Sequence, residues 1–195
     1  MKVSVKALKS LVAVLALLTA AIGVARAAEP IELSQAALLV ATDRLAGSPY
    51  EEIVLLVAPI EQGGHVGFIV NRPTKVKLQD LFPEHAPSRK VLSPIYVGGP
   101  VLPEAVIALA RKAPKGDGTV IALMPGLVAV LDRASVDRVI ETTPNEAHYF
   151  VGMVIWAPGE LAGEIRDGAW RVRPASADAV LAANPAALWQ QLVKP

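Results

Sequence analysis

The chain has no cysteine. That excludes disulfides, thiolate nucleophiles and cysteine-ligated metals. Aromatic side chains are scarce, with three each of Trp, Tyr and Phe in 195 residues, so any core is built from aliphatic residues. The three histidines, His65, His85 and His148, show no ligand spacing of the H-x-x-x-H kind. No G-x-S-x-G elbow supports a serine nucleophile. No Gly-Lys-Ser/Thr completes a phosphate-binding loop after a glycine pair. No basic patch interleaved with aromatics is present, and no repeat or low-complexity segment stands out.

What is there begins at the N-terminus. Lys2, Lys6 and Lys9 precede an apolar run from Leu11 to Ala25, and no acid occurs before Glu29. Ala25-Arg26-Ala27-Ala28 then offers a small-x-small site. A basic start, a short apolar stretch and such a site make a secretory signal peptide over residues 1–27, with cleavage after Ala27 or Ala28. The run is shorter than the roughly 20 apolar residues of a comfortable span. An uncleaved N-terminal membrane anchor is the alternative. With the leader's four bases removed, 15 of the 19 basic residues remain against 18 acids, a formal charge of −3. A mildly acidic chain lacks the basic footprint of a nucleic-acid binder.

Residues 28–195 suit one domain. Ala37–Thr42, Ile53–Ala58 and His65–Asn71 read as strands, the last two as a hairpin around Gly63-Gly64. Pro73 is expected to stop the third. Leu78–Phe82 reads as one helical turn and Ile95–Val97 as a short strand, whereas Ala105–Ala110 allows helix or strand. Thr119–Leu123 and Leu127–Leu131 flank Pro125-Gly126 as a strand pair. Ser135 is placed to N-cap a helix ending near Thr142, with Val136, Val139 and Ile140 on one face. Tyr149–Trp156 is a long apolar strand. A helix follows over Glu160–Asp167 with Gly168 at its C-terminal turn. Ala169–Arg173 alternates like an edge strand, and two short helices close the chain. Without a regular βαβ alternation, the pattern is α+β.

Four stretches resemble the YqgE/AlgH family. They are Leu39–Thr42 with the strand Ile53–Ala58; Gly64-His65-Val66-Gly67-Phe68-Ile69-Val70-Asn71-Arg72-Pro73; Val97-Gly98-Gly99-Pro100-Val101; and the run from Val151-Gly152 through Trp156-x-Pro158-Gly159 to Glu164-Ile165 and Ala169-Trp170. The likeness spans about Leu38 to Leu192. It implies a closed or nearly closed mixed β-barrel with flanking helices, and no established enzymatic activity. It also carries a transcriptional-regulator label attached to one branch. The chain departs from the family where Glu160 replaces a usual Gln and Gly168 a usual Asn. The aliphatic Ala105–Ala110 also replaces a polar stretch.

The candidate site residues are Asn71, Arg72, Gly98, Gly99 and Glu160. Asn71 and Arg72 end a strand, where an arginine fork suits an anion or carboxylate and where ordinary turn chemistry also accounts for both. Gly98-Gly99 offers either an anion nest or a tight turn. Glu160 and Glu164 are i, i+4 neighbours on a helix, with Glu164 free to pair with Arg166 or Arg171. Together with Asp167 they are the only visible candidates for acid–base work, and no partner base accompanies them. The three tryptophans read as core or half-buried, and His65 as exposed.

The reading is therefore a non-enzymatic periplasmic or secreted binding or interaction module. No cofactor or metal is expected, and the partner is a small ligand or an envelope protein. The rivals are a cytoplasmic transcription regulator and a hydrolase working through Glu160, Glu164 or Asp167.

Overall fold

In a computed structural model the structure describes residues 33–181 and 185–193. The leader and its cleavage site lie outside the described residues. Ten strands follow in chain order. They are β1 (Ala37–Ala41), β2 (Val54–Pro59), β3 (His65–Ile69), β4 (Pro73–Lys77), β5 (Pro94–Val97), β6 (Val101–Ala110), β7 (Val120–Met124), β8 (Leu127–Val130), β9 (Ala147–Trp156) and β10 (Trp170–Pro174). The helices are α1 (Leu78–Leu81), α2 (Arg133–Thr142), α3 (Glu160–Arg166), α4 (Ala177–Val180) and α5 (Leu188–Leu192).

The main path of the sheet runs β10-β1-β2-β3-β9-β6-β8-β7. Every pair on it is antiparallel, and only β5 lies parallel to a neighbour, beside β9. The sheet curls but does not close. Among the described residues β7 pairs only with β8, and β10 only with β1, so neither end of the path meets the other. The architecture is an open half-barrel, which corrects the expectation of a closed or nearly closed barrel. The reason lies in what fills the concave side: Val180 of α4 and Leu188 of α5 enter the core formed by Leu38, Leu56, Phe68, Phe150 and Leu127. Helical side chains, rather than further strands, complete this side of the core.

Strand β2 shows why its sequence is a continuous apolar run. Val54, Leu56 and Ala58 face the concave core, whereas Leu55 and Val57 face a second core with Leu39, Trp156, Leu161 and Trp170. Both faces of this part of the sheet are covered, so alternation disappears. Each Leu or Val so buried contributes about 1.5–3 kcal/mol. A third core sits outside β6, β8 and β9, where Val136, Val139 and Ile140 of α2 cover Ala108, Val130 and Tyr149.

Two local expectations change and one open reading is resolved. Pro73 does not merely stop a strand. It opens β4, whose first position tolerates the missing N–H. The ambiguous Ala105–Ala110 is strand, part of β6. Its outer half breaks register with β9 between Val101 and Val106, and Leu102 there takes φ +54°. The cap of α2 is Asp132 rather than Ser135: Asp132 Oδ1 accepts from the Ser135 backbone N–H at 3.0 Å, and Oδ2 from that of Thr119 at 2.7 Å. Those bonds hold the Asp132 carboxyl below the ordinary aspartate range and tie the helix start to the chain entering β7. Among the described residues no helix is long and apolar enough to cross a membrane.

Candidate functional site

The predicted site residues separate into two groups. Asn71, just past the end of β3, is buried, with both ends of its amide bonded. Its Oδ1 accepts from the Val54 backbone N–H at 2.8 Å, and its Nδ2 donates to the Glu52 carbonyl at 2.9 Å. Arg72 donates from Nη1 to the Pro49 carbonyl at 2.9 Å and from Nη2 to that of Glu51 at 2.8 Å. Both side chains therefore clamp the loop before β2, where Glu52 takes φ +55°. Of the two readings open in sequence, an anion fork or local turn chemistry, the geometry fits the second: the fork holds two carbonyls.

Gly98 and Gly99 serve a backbone crossing. The Gly98 N–H donates to Val151 O at 2.8 Å, and its carbonyl accepts from Ile69 N–H at 3.0 Å. A Cβ at Gly98 would land on the Gly152 carbonyl, and one at Gly152, which has φ +73°, would land on that of Gly99. The chain passes over β9 at contact distance, and only glycines allow it. Gly98 contributes no free N–H to an anion nest.

Glu160 stands apart. It lies at the first turn of α3, where its Oε2 accepts from the Ala157 backbone N–H at 2.9 Å. It faces a groove of about 360 Å³ between the end of β9, the Pro100-Val101 segment and α3. Trp156 and Trp170 wall the groove, and Tyr50 meets Trp170 edge-on with ring centroids 6.2 Å apart. Glu164 lines it as well, accepting from Trp170 Nε1 at 2.6 Å. This replaces the expected pairing of Glu164 with Arg166 or Arg171. Neither glutamate forms an ion pair among the described residues. The indole bond fixes one oxygen of Glu164, and the backbone bond one oxygen of Glu160. Each carboxylate keeps acceptor capacity toward the groove. Ile155, 45% exposed, extends the apolar surface at the rim.

Sequence reasoning missed Tyr50, Trp156 and Trp170 as groove walls. The spacing of the two tryptophans around α3 was the available signal, because it brackets a helix whose acidic face they can enclose. A larger cleft of about 670 Å³ lies at the open seam, between the chain entering β1 and the β7–β8 turn. Its lining is mostly small or aliphatic, with Ser34, Gln35 and Ser176 as the polar members, so it presents no charge.

The histidines are dispersed. His65 is buried rather than exposed, with Nε2 2.9 Å from the Leu33 carbonyl. His85 Nδ1 bonds Ser88 Oγ at 2.8 Å. His148 stacks on Tyr96 with centroids 5.0 Å apart and has an unpartnered Nδ1. Burial lowers the His148 pKa and raises those of Tyr96 and Tyr149.

Comparison with known proteins follows the same outline. Residues 38–195 match the model of a family described as AlgH-like, DUF179. A UPF0301 protein from Rhodococcus opacus is 30% identical over 169 residues, covering 85% of this chain and 84% of the relative. One from Chlorobium phaeobacteroides is 28% identical, covering 84% and 87%. Among solved structures, the AlgH protein from Pseudomonas aeruginosa superposes with a TM-score of 0.68 at 21% identity, covering 86% of this chain and 90% of that one. The protein DIP2367 from Corynebacterium diphtheriae gives 0.66 at 25% identity with the same coverage.

Proposed function

We propose a binding role for this chain, which belongs to the AlgH-like family (DUF179), and assign that role to the groove between β9, α3 and the Pro100-Val101 segment. The observation that carries the reading is the pairing of two glutamates, neither matched by a cation among the described residues, with aromatic walls in one concavity. Such a site suits a ligand with an ammonium or guanidinium group beside an apolar body. The carboxylates meet the charge, and the tryptophan and tyrosine rings supply apolar area and cation–π attraction. Asn71, Arg72, Gly98 and Gly99 act by shaping the loop and the crossing next to the groove.

The role is non-enzymatic. The carboxylates are bonded to an indole and a backbone N–H, and among the described residues neither pairs with a histidine, lysine or arginine side chain. The basic start, short apolar run and Ala25-Arg26-Ala27 site of the sequence support export to the periplasm, where the ligand is a small molecule or the basic segment of an envelope protein.

A library of amines, guanidines and short basic peptides, screened by intrinsic tryptophan fluorescence, tests this reading. Saturable binding is expected, weakened about tenfold in Glu160→Gln/Glu164→Gln, with the ligand recovered unchanged. Loss of no affinity in that variant, or chemical turnover of the ligand, contradicts it. Intact mass of the fractionated protein tests export: a periplasmic species beginning at Ala28 or Glu29 supports it, and an uncleaved cytoplasmic one overturns it.

A further inference from the structure

A second concavity, sharing no lining residue with the groove, lies under the loop from β6 to β7. Its volume is about 420 Å³. The floor is apolar, made by Ala110 at the end of β6, Pro114 in the loop and Val139 of α2. The rim carries Lys112, Lys115 and Arg138 against one carboxylate, Glu146. Neither lysine has an acidic partner among the described residues, whereas Arg111 next to them is closed on Asp178 at 2.6 Å.

The three cations differ in freedom. The Arg138 guanidinium is fixed, because it donates to the Lys115 carbonyl and lies where a Cβ on Gly116 would stand. The loop is fixed at its far end by Asp132, which takes the Thr119 N–H. One rigid planar donor over an apolar floor, with two exposed lysines beside it, is a combination that recognises an anion attached to a compact apolar group. Three cations against one carboxylate leave an excess of two positive charges. That excess matches a dianion better than a carboxylate.

We propose that this pocket binds a phosphate monoester with a small apolar body, with Arg138 and the two lysines on the phosphate and Ala110, Pro114 and Val139 against the apolar part. A phosphate monoester becomes dianionic above its second pKa of about 6, so binding strengthens as pH rises from 5.5 to 7.5.

Isothermal titration of the full chain with phenyl phosphate at low ionic strength tests the assignment. One saturable site is expected. Lys112→Ala/Lys115→Ala, at exposed positions that leave the fold intact, weakens it about tenfold, and Glu146→Gln tightens it about threefold. Inorganic phosphate binds at least about tenfold more weakly, because it lacks the apolar contact. Absence of saturable binding, indifference to the lysine substitutions, or equal affinity for inorganic phosphate overturns the proposal. Phosphatidate-containing vesicles carry the same headgroup chemistry. Cosedimentation that the double lysine substitution abolishes supports a lipid source, and phenyl phosphate binding without cosedimentation supports a soluble one.

Discussion

The end of β3 and the groove beside α3 are both built from motif residues, yet they treat their polar groups in opposite ways. At β3, Asn71 and Arg72 turn their donors and acceptors onto backbone groups of residues 49–54. At α3, Glu160 and Glu164 each give one oxygen to a protein donor and keep capacity toward a concavity. The lesson is that charge or polarity at a motif position does not mark a site. The distinguishing feature is whether the protein itself completes the bonding. Arg72 looks the more functional residue in sequence and is a strut. Glu164 reads as one member of a surface charge pair and is oriented by an indole.

The strongest challenge to this contrast is at the crossing that frames the groove. Gly152→Ala places a Cβ on the Gly99 carbonyl at φ +73°, and a loss above about 4 kcal/mol is expected in chemical denaturation. Gly126→Ala, with similar φ and open space around it, costs about 1–2 kcal/mol. Equal costs for the two contradict a close backbone crossing. Next in size is Asn71→Ala, which strands the Val54 N–H and the Glu52 carbonyl. A loss of about 2–4 kcal/mol is expected, with ligand binding at the groove retained. A neutral substitution contradicts the strut role.

Trp170→Phe keeps an aromatic ring but removes the donor to Glu164 and part of the buried indole. About 1.5–3 kcal/mol of stability is expected to go, and unlike Asn71→Ala it also weakens the groove ligand. An affinity unchanged by this substitution separates the indole from the site. The smallest effect concerns a third kind of polar group, the half-buried His148, whose Nδ1 has no partner. Burial lowers the His148 pKa, so the unfolded chain takes up its proton first. The associated stability is fully present above the unfolded value of about 6.5 and declines as pH falls below it. His148→Phe keeps the stack on Tyr96 and is expected to flatten the decline in thermal midpoint between pH 7 and 5. An unaltered slope assigns the acid sensitivity elsewhere.

Most of the strands were readable because each carries its own signal: the covered faces of β2 give an unbroken apolar run, and Gly63-Gly64 and Pro125-Gly126 announce hairpins. The open barrel was not readable. It depends on Val180 and Leu188 entering the concave core from the far end of the chain, and nothing local to the strands records that. Likewise the start of α2 turned on whether Asp132 or Ser135 caps it, two residue types of equal capping strength. At the site, Glu160 was legible from the helix start. Its neighbours were not, because Tyr50, Trp156 and Trp170 come together only when α3 carries the chain from β9 back to the far side of the sheet and β10 pairs with β1. The roles of Asn71 and Arg72 were undecided in sequence because turn chemistry and anion binding use the same residue types. Only the carbonyls of Glu52, Pro49 and Glu51 decide between them.

The central claim is that the bonding capacity left open for a ligand sits at α3 and not at the end of β3. A single titration reads both places, following side-chain signals of ¹⁵N-labelled protein as a fluorescence-selected basic ligand is added. The account predicts saturable shifts of the Trp156 and Trp170 indole N–H signals while the Asn71 amide and Arg72 Nε–H signals stay fixed. Shifts at Asn71 and Arg72 with stationary indoles would contradict it.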